Sequence, residues 1–310
     1  MAAFAAVFLS ILRPCLLTGF ALLAAACSSD RAAPTSALSA DVRISPDNAV
    51  QVGAAVYGTS VVPLRLARLL GAFLVDLDPP AEGAPTGLLV REVQGPEGGS
   101  VLFTWDDRDG NGEYGSGDVF VFDCRPYQEA GLQLTGNAAL ENVQLIGDVS
   151  EGLNWLLEAD LRCAGLEVAV GSSSSVFDGV LRFRWDQRLT LMVLTLEVVE
   201  EFVCSGRTLM PGSELVRIEW PFADSRMDYI LRGATEDALL GGVVTFATGP
   251  RFTGLRFLPN PSSGLLEVAG AGGSGLRMVP LDDFFTLTLE VDQDGDGDVD
   301  AVADTEWSAF

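Results

Sequence analysis

The sequence predicts a mainly β fold: a large antiparallel sheet, arranged as a sandwich or an open barrel, with one or two short N-terminal helices. From about residue 86 onward, apolar side chains recur at every second position, as in Phe285, Leu287, Leu289 and Val291. Glycine-rich breaks separate about fourteen such segments at the spacing of β-hairpins. Because this alternation buries one face of each strand, the series favours antiparallel pairing around a shared core.

The first 26 residues are almost wholly apolar and end in small residues before Cys27, which is the pattern of an export signal. The residues Ala24–Cys27 resemble the lipobox of bacterial lipoproteins, in which the chain is cut before the cysteine and the thiol receives a diacylglycerol. This resemblance implies lipidation of Cys27, and Ser28 implies the outer membrane, with the body facing the periplasm or the cell surface. A simple secretory signal and an uncleaved membrane helix are the alternatives.

A tether and a helical segment are predicted between the signal and the β-rich body. Residues 28–40 are small and polar, and they predict a lipid-anchored tether over residues 27–44. Ser45 and Pro46 are residue types that begin helices, and apolar residues follow at helical spacing. Residues 45–80 are therefore expected to pack on the β domain as a helical segment, ended by Asp78–Pro80. The antiparallel β domain is expected over residues 81–310.

The net charge and the residue composition limit the partners and the catalytic chemistry that can be expected of the chain. The formal net charge is −24, there is no histidine, and all 19 basic residues are arginine. So acidic a surface repels phosphate backbones, which argues against nucleic acid and favours cations as partners. Without histidine, Ser-His-Asp and Cys-His nucleophiles and histidine-ligated metals are excluded. The sequence predicts no catalytic residue, and we expect a protein that is not an enzyme.

A weak internal repeat at an offset of 80 residues joins two blocks of the β region. Its matched residues are Gly99, Phe103, Trp105, Asp106 and Arg108 with Gly179, Phe183, Trp185, Asp186 and Arg188, and Phe122 and Cys124 with Phe202 and Cys204. An oxidising compartment permits one disulfide among Cys124, Cys163 and Cys204, and three pairings are open. The repeat favours a bond between Cys124 and Cys204.

The segment 107–118 has oxygen-bearing side chains at loop positions 1, 3, 5 and 12, with glycine at position 6. It resembles the EF-hand calcium loop, and the residues concerned are Asp107, Asp109, Asn111 and Asp118, with the carbonyl of Glu113 at position 7. Calcium needs six to eight oxygens, which alternating side chains around a tight turn can aim at one point. β-type segments flank the loop, so we expect it at a hairpin tip.

A second acidic loop contains Asp292, Asp294, Asp296, Asp298 and Asp300, followed by Asp304. Carboxylates so close repel one another unless a cation neutralises them. The segment resembles the short Asp-rich calcium turns of dockerins and thrombospondin-type repeats, which implies calcium as its ligand. Position 12 of an EF-hand frame is Ala303, so Asp304 is the candidate that closes the loop. A solvated turn without metal is the alternative for both loops.

Together, the signal and the two loops resemble the Asp-rich envelope lipoproteins of Gram-negative bacteria. The predicted function is that of a non-enzymatic lipoprotein, held at the membrane by its lipid, whose β domain calcium stiffens for a structural role or for binding an envelope or surface partner. A first alternative is a periplasmic carrier that holds a lipid or other apolar ligand between the helical segment and the sheet. A second alternative is a calcium-dependent hydrolase that uses carboxylates.

Overall fold

The computed structural model describes residues 40–61, 63, 66, 69, 70, 87–112, 114–129, 132–147, 153–170, 173–255 and 260–310. These residues form one antiparallel sheet of 18 strands and one short helical segment, so the predicted mainly β fold is confirmed. The predicted signal, the lipidation residue Cys27 and the greater part of the predicted tether lie outside the described residues. No helix in the described ranges is both long enough and apolar enough to cross a membrane.

The strands follow one another along the chain with short connections. They are β1 Leu88–Gln94, β2 Gly98–Asp106, β3 Val119–Glu129, β4 Leu132–Ile146, β5 Trp155–Val170, β6 Ser173–Gln187, β7 Leu191–Val198, β8 Phe202–Cys204, β9 Arg207–Leu209, β10 Glu214–Pro221, β11 Arg226–Asp237, β12 Gly242–Thr248, β13 Phe252–Leu255, β14 Pro261–Ser263, β15 Leu266–Ala269, β16 Gly275–Pro280, β17 Thr286–Asp292 and β18 Ala301–Glu306.

The sheet is a meander that divides once and rejoins. Strands β1 to β7 pair in sequence order, and β7 pairs with β10, which pairs with β11. The first half of β6 pairs instead with β8, which leads through β9 to the same β11. Beyond β11 the sheet continues through β12, β15, β16 and β17 to β18, with β13 and β14 beside β11.

The core lies on the face that receives the alternating apolar side chains. In β2, Val101, Phe103 and Trp105 are at most 2% exposed, while the residues between them are half-buried. Phenylalanines of neighbouring strands pack against them, such as Phe122, whose ring centroid lies 5.6 Å from that of Phe103. Three of the five tryptophans are buried on strands, and Trp307 is buried in the short helical turn that follows β18.

The helical segment begins later than its sequence suggests. It consists of α1, Ala49–Gly53, a π-helical turn, Ala54–Gly58, and helical residues at 59–61, 63, 66, 69 and 70. Residues 45–48 form a turn instead, because the amide of Asn48 donates to the Ser45 carbonyl at 3.2 Å and its Oδ1 accepts from the Ser45 amide at 2.9 Å. The predicted stop at Asp78–Pro80 lies outside the described residues.

The helical segment is covered by strands and by residues near position 310. Val52 and Val56 are fully buried, and the segment contacts β11 and β17. The ring of Tyr57 lies 4.4 Å from that of Trp307, between centroids. A Cβ atom at Gly53 would lie 2.8 Å from the ring of Phe310, so glycine is what allows this close approach.

The predicted disulfide between Cys124 and Cys204 is absent, because Cys124, Cys163 and Cys204 are all free and buried. Cys124 lies on β3 and Cys204 on β8, with β4, β5 and β6 between them. Four steps between strands amount to about 19 Å along the sheet, whereas a disulfide requires Cα atoms within about 7 Å. Burial raises the pKa values of Cys124 and Cys163 to about 12 and that of Cys204 to about 11.

The two blocks of the predicted repeat share one local feature and differ in pairing. Arg108 pairs with Asp106 at 3.2 Å, and Arg188 pairs with Asp186 at 2.6 Å, each across two residues. In the first block Phe103 faces Phe122 across β2 and β3, whereas Phe183 faces a residue of β7 and not Phe202. The internal duplication therefore stays a prediction.

Candidate metal centres

The first acidic loop connects β2 to β3 at the tip of a hairpin whose last pair is Asp106 with Val119. Its two end carboxylates are withdrawn from solvent: Asp118 is fully buried and Asp107 is 5% exposed, while Asp109 between them is exposed. The short hairpin returns the chain within twelve residues, which brings positions 1, 3 and 12 together. One carboxylate oxygen from each of these three aspartates lies within 4.8 Å of the others.

Main-chain amides organise this loop around Asp107. Its Oδ1 accepts from the amides of Gly110 at 2.8 Å and Asn111 at 3.2 Å, and its Oδ2 accepts from the amide of Gly112 at 2.9 Å. The Asn111 side chain donates to Asp109 Oδ2 at 2.9 Å, so it also lies in the cluster. Burial raises the pKa of Asp107, but the amide hydrogen bonds, led by that of Gly112, bring it below its ordinary value.

Asp118 closes the loop from the start of β3. Its Oδ2 accepts from Trp105 Nε1 at 2.8 Å and from the Gly115 amide at 3.0 Å, and its Oδ1 accepts from the Arg108 amide at 3.2 Å. Burial raises the pKa of Asp118 above its ordinary value, and these three hydrogen bonds offset only part of that effect. A nearby cation would favour the charged carboxylate here.

The second acidic loop connects β17 to β18, again at a hairpin tip, with Val291 paired to Ala301. Asp292 accepts from the Gly295 amide at 2.7 Å through Oδ1 and from the Gly297 amide at 2.9 Å through Oδ2. Asp294 Oδ1 accepts from the Asp296 amide at 3.2 Å. One oxygen each of Asp292, Asp294 and Asp300 lies within 4.8 Å of the others, and the loop is more exposed than the first.

The two loops share one hydrogen-bond pattern, although they lie in different hairpins. In both, the aspartate at position 1 accepts from the amides at positions 4 and 6, and the aspartate at position 3 accepts from the amide at position 5. The closing carboxylate accepts from the amide at position 2 in both cases. It is Asp118 at position 12 in the first loop and Asp300 at position 9 in the second, which receives the Gln293 amide at 2.7 Å.

Three predicted ligands of the second loop fall outside its cluster. Asp304 lies on β18, where its Oδ1 accepts from the Thr288 hydroxyl of the neighbouring strand at 2.7 Å, so Asp300 replaces it as the closing residue. Asp296 and Asp298 are exposed, and neither contributes to the three converging carboxylates. The predicted Glu113 carbonyl of the first loop lies outside the described residues.

The geometry of both clusters suits a hard cation with oxygen ligands. One oxygen from each of the three carboxylates lies within 4.8 Å of the others, a spacing that a divalent cation with oxygen ligands, such as calcium or magnesium, can bridge. Each cluster supplies three carboxylates, and main-chain carbonyls and water would complete a shell of six or more.

The second loop also contacts the segment that precedes the helix. A Cβ atom at Gly295 would lie 2.9 Å from the carbonyl oxygen of Gly272, so the loop packs closely on the turn before β16. That turn receives residues 41–44 as well, since the Ala271 amide donates to the Val42 carbonyl at 2.7 Å. Arg43 Nη2 reaches the Gln293 carbonyl at 3.4 Å.

A different charged feature lies on the outer face of the sheet, over β5, β6, β7 and β10. It is a groove of about 500 Å³ lined chiefly by arginine and carboxylate side chains, and none of its residues belongs to either acidic loop. No local sequence pattern indicates this groove, because its residues come from four strands.

No protein-family model, curated protein or solved structure matches this chain.

Proposed function

We propose that this chain is a non-enzymatic protein of the cell envelope, anchored by a lipid on Cys27, whose β domain is stiffened by calcium at two hairpin loops. The observation that supports it best is the common hydrogen-bond pattern of the two loops. Each folds its main-chain amides onto carboxylates so that three acidic side chains converge. Converging carboxylates repel one another, and a divalent cation converts this repulsion into attraction.

Calcium at these places would act on strand ends. Each loop connects two paired strands, of which β2, β3 and β17 carry core residues, and holding positions 1, 3 and the closing residue to one ion fixes the ends of both strands. The first loop is also joined to β4, since the Gly117 amide donates to the Val143 carbonyl at 2.8 Å. A surface held in this way supports a structural role or the binding of an envelope partner, and the net charge of −24 favours a partner that is not acidic.

Neither alternative function receives a supporting observation within the described residues. A carrier requires an apolar cavity, whereas the groove is lined by charged side chains and the helical segment buries Val52 and Val56 on the sheet. A hydrolase requires metal and carboxylates beside a substrate cleft, and the groove shares no residue with the acidic loops.

Calorimetric titration of calcium into the full chain, purified in an uncharged detergent, tests the proposal. The wild type is expected to bind two calcium ions, and Asp109→Asn and Asp294→Asn are each expected to leave one. Asp304→Asn is the matched control, because its carboxylate is bonded to Thr288 away from the loop, and it should retain both ions. Calcium at a hundred times its Kd should stabilise the domain by about 2.7 kcal/mol per site, seen as a rise in melting temperature.

Absence of heat and of any melting shift at several millimolar calcium would contradict the proposal and reduce both loops to acidic turns. Equal loss of binding in Asp304→Asn and Asp294→Asn would contradict the assignment of Asp300 as the closing residue.

A further inference from the structure

The groove on the outer face of the sheet has a low floor between two higher walls. Its floor is β7, which presents the medium-sized side chains of Val193 and Thr195. The walls are β6 and β10, which present the long side chains of Arg184 and Arg217. Side chains of alternate residues face the same side of a sheet, so this relief continues along β7.

One row across the groove is positively charged. Thr195 faces Arg184 of β6 on one side and Arg217 of β10 on the other. Directly opposed residues in antiparallel strands have Cα atoms about 5 Å apart, so Arg184 and Arg217 stand on either side of Thr195. Two arginines and a hydroxyl on neighbouring strands supply the donors that an oxyanion needs.

Some N–H groups of the two arginines in this row have no hydrogen-bond acceptor among the described residues. Arg184 lies 4.0 Å from Glu158 and 3.8 Å from Asp186, and among the described residues it donates no hydrogen bond. Arg217 pairs with Glu219 at 2.8 Å through Nη2, but its Nε is buried with no hydrogen-bond partner in the same part of the chain.

The next row along β7 places two glutamates side by side. Glu197 faces Glu214 of β10 on one side and Arg182 of β6 on the other, and the like charges of the two glutamates destabilise the sheet. Glu214 is paired with Arg232 at 2.7 Å. Glu197 is exposed and has neither an ion pair nor a hydrogen bond within the described ranges. A cation placed between the two carboxylates would relieve their repulsion.

Other charged side chains that line the groove are paired closely. Arg188 reaches Asp186 at 2.6 Å and Arg182 reaches Asp160 at 3.3 Å, as in an ordinary ladder of surface ion pairs. Among the described residues that line the groove, Arg184 has only its two long contacts and Glu197 has no ion pair. Their rows are those of Thr195 and Glu197, which lie two residues apart along β7, or about 7 Å.

We propose that this groove binds a small zwitterion, with its oxyanion held by Arg184, Thr195 and Arg217 and its ammonium group held by Glu197 and Glu214. A simple anion would leave Glu197 without an ion pair, and a simple cation would leave the guanidinium group of Arg184 with only its contacts at 3.8 Å and 4.0 Å. A phosphate or carboxylate group joined to an amine by a short chain satisfies both rows. This site is independent of calcium, because none of its residues belongs to the acidic loops.

The test is calorimetric titration of the full chain, in an uncharged detergent, with O-phosphoethanolamine, inorganic phosphate and ethanolamine. Phosphoethanolamine should bind at least tenfold more tightly than either fragment. Arg184→Gln and Glu197→Gln should each weaken it at least tenfold. Arg125→Gln is the matched control: Arg125 is an exposed arginine of β3, paired with Asp123 at 3.0 Å, and its loss should leave the affinity unchanged.

Glycerophosphoethanolamine distinguishes the two sources of this chemistry. Binding as tight as that of phosphoethanolamine would assign the site to a lipid headgroup, and binding tenfold weaker would assign it to a soluble phosphomonoester. No binding of phosphoethanolamine at 10 mM, or equal binding by wild type, Arg184→Gln and Glu197→Gln, would overturn the proposal. Unchanged melting curves of the variants would show that any loss of binding is local.

Discussion

The buried carboxylate of Asp118 offers a sharp test of how the first loop is held. Its side chain is fully buried and accepts the Trp105 indole N–H at 2.8 Å. Trp105→Phe keeps an aromatic ring and removes this donor. A hydrogen bond to a charged group contributes about 1.5–3 kcal/mol, and the smaller ring adds about 1 kcal/mol. The free energy of unfolding should therefore fall by about 3 kcal/mol, measured by urea titration followed by far-ultraviolet circular dichroism with a calcium chelator present.

Trp185→Phe is the matched control, because Trp185 occupies the corresponding position of the second repeat block. Its indole donates to Gln187 Oε1, a neutral acceptor, at 3.2 Å, and its side chain is only half-buried. A neutral hydrogen bond contributes about 0.5–1.5 kcal/mol, so the control should lose at least about 1 kcal/mol less than Trp105→Phe. Equal losses in the two variants would refute the argument that the buried charge makes Trp105 important.

Three further outcomes are expected. Ellman's reagent at pH 8 should leave Cys124, Cys163 and Cys204 unmodified in the folded chain and modify all three in guanidinium, as read by peptide mass spectrometry, because burial raises their pKa values. Burial raises the pKa of Cys163 from 9.0 to about 12, so the thiol of the unfolded chain loses its proton at a lower pH than that of the folded chain. The free energy of unfolding should therefore fall as the pH rises from about 9 towards 12. Urea titrations of Cys163→Ala should show a smaller fall over the same pH range. Gly295→Ala should lower the free energy of unfolding by about 1–3 kcal/mol more than Gly110→Ala in the same titrations, because both have positive φ but only Gly295 is crowded.

The sequence predicted the features that depend on near neighbours. The alternation of apolar and polar residues identified the strands because every second side chain faces the core. Phe103 and Trp105, for example, are buried there. The frame of the first loop was predictable because Asp107, Asp109 and Asp118 lie within one hairpin. Their residue types and spacing are enough to bring the oxygens together, as the structure shows.

Features that depend on strand order and register were not predictable. The closing residue of the second loop is Asp300 and not Asp304, because β18 begins at Ala301 and places Asp304 beside Thr288. The expected disulfide failed for the same reason, since β8 pairs with β6, and β4, β5 and β6 therefore lie between the two cysteines. The groove requires four strands in register, and no local pattern indicates it.

The contact between the helical segment and residues near position 310 has a consequence for the order of folding. Phe310 packs against Gly53, and Trp307 packs against Tyr57, across about 250 residues of chain. During synthesis the apolar face around Val52 therefore emerges early, and its cover stays incomplete until β17 and the residues after it follow β11. A chaperone that recognises exposed apolar helices would find its target there, and would be released only when β17 and the residues after it complete the sheet.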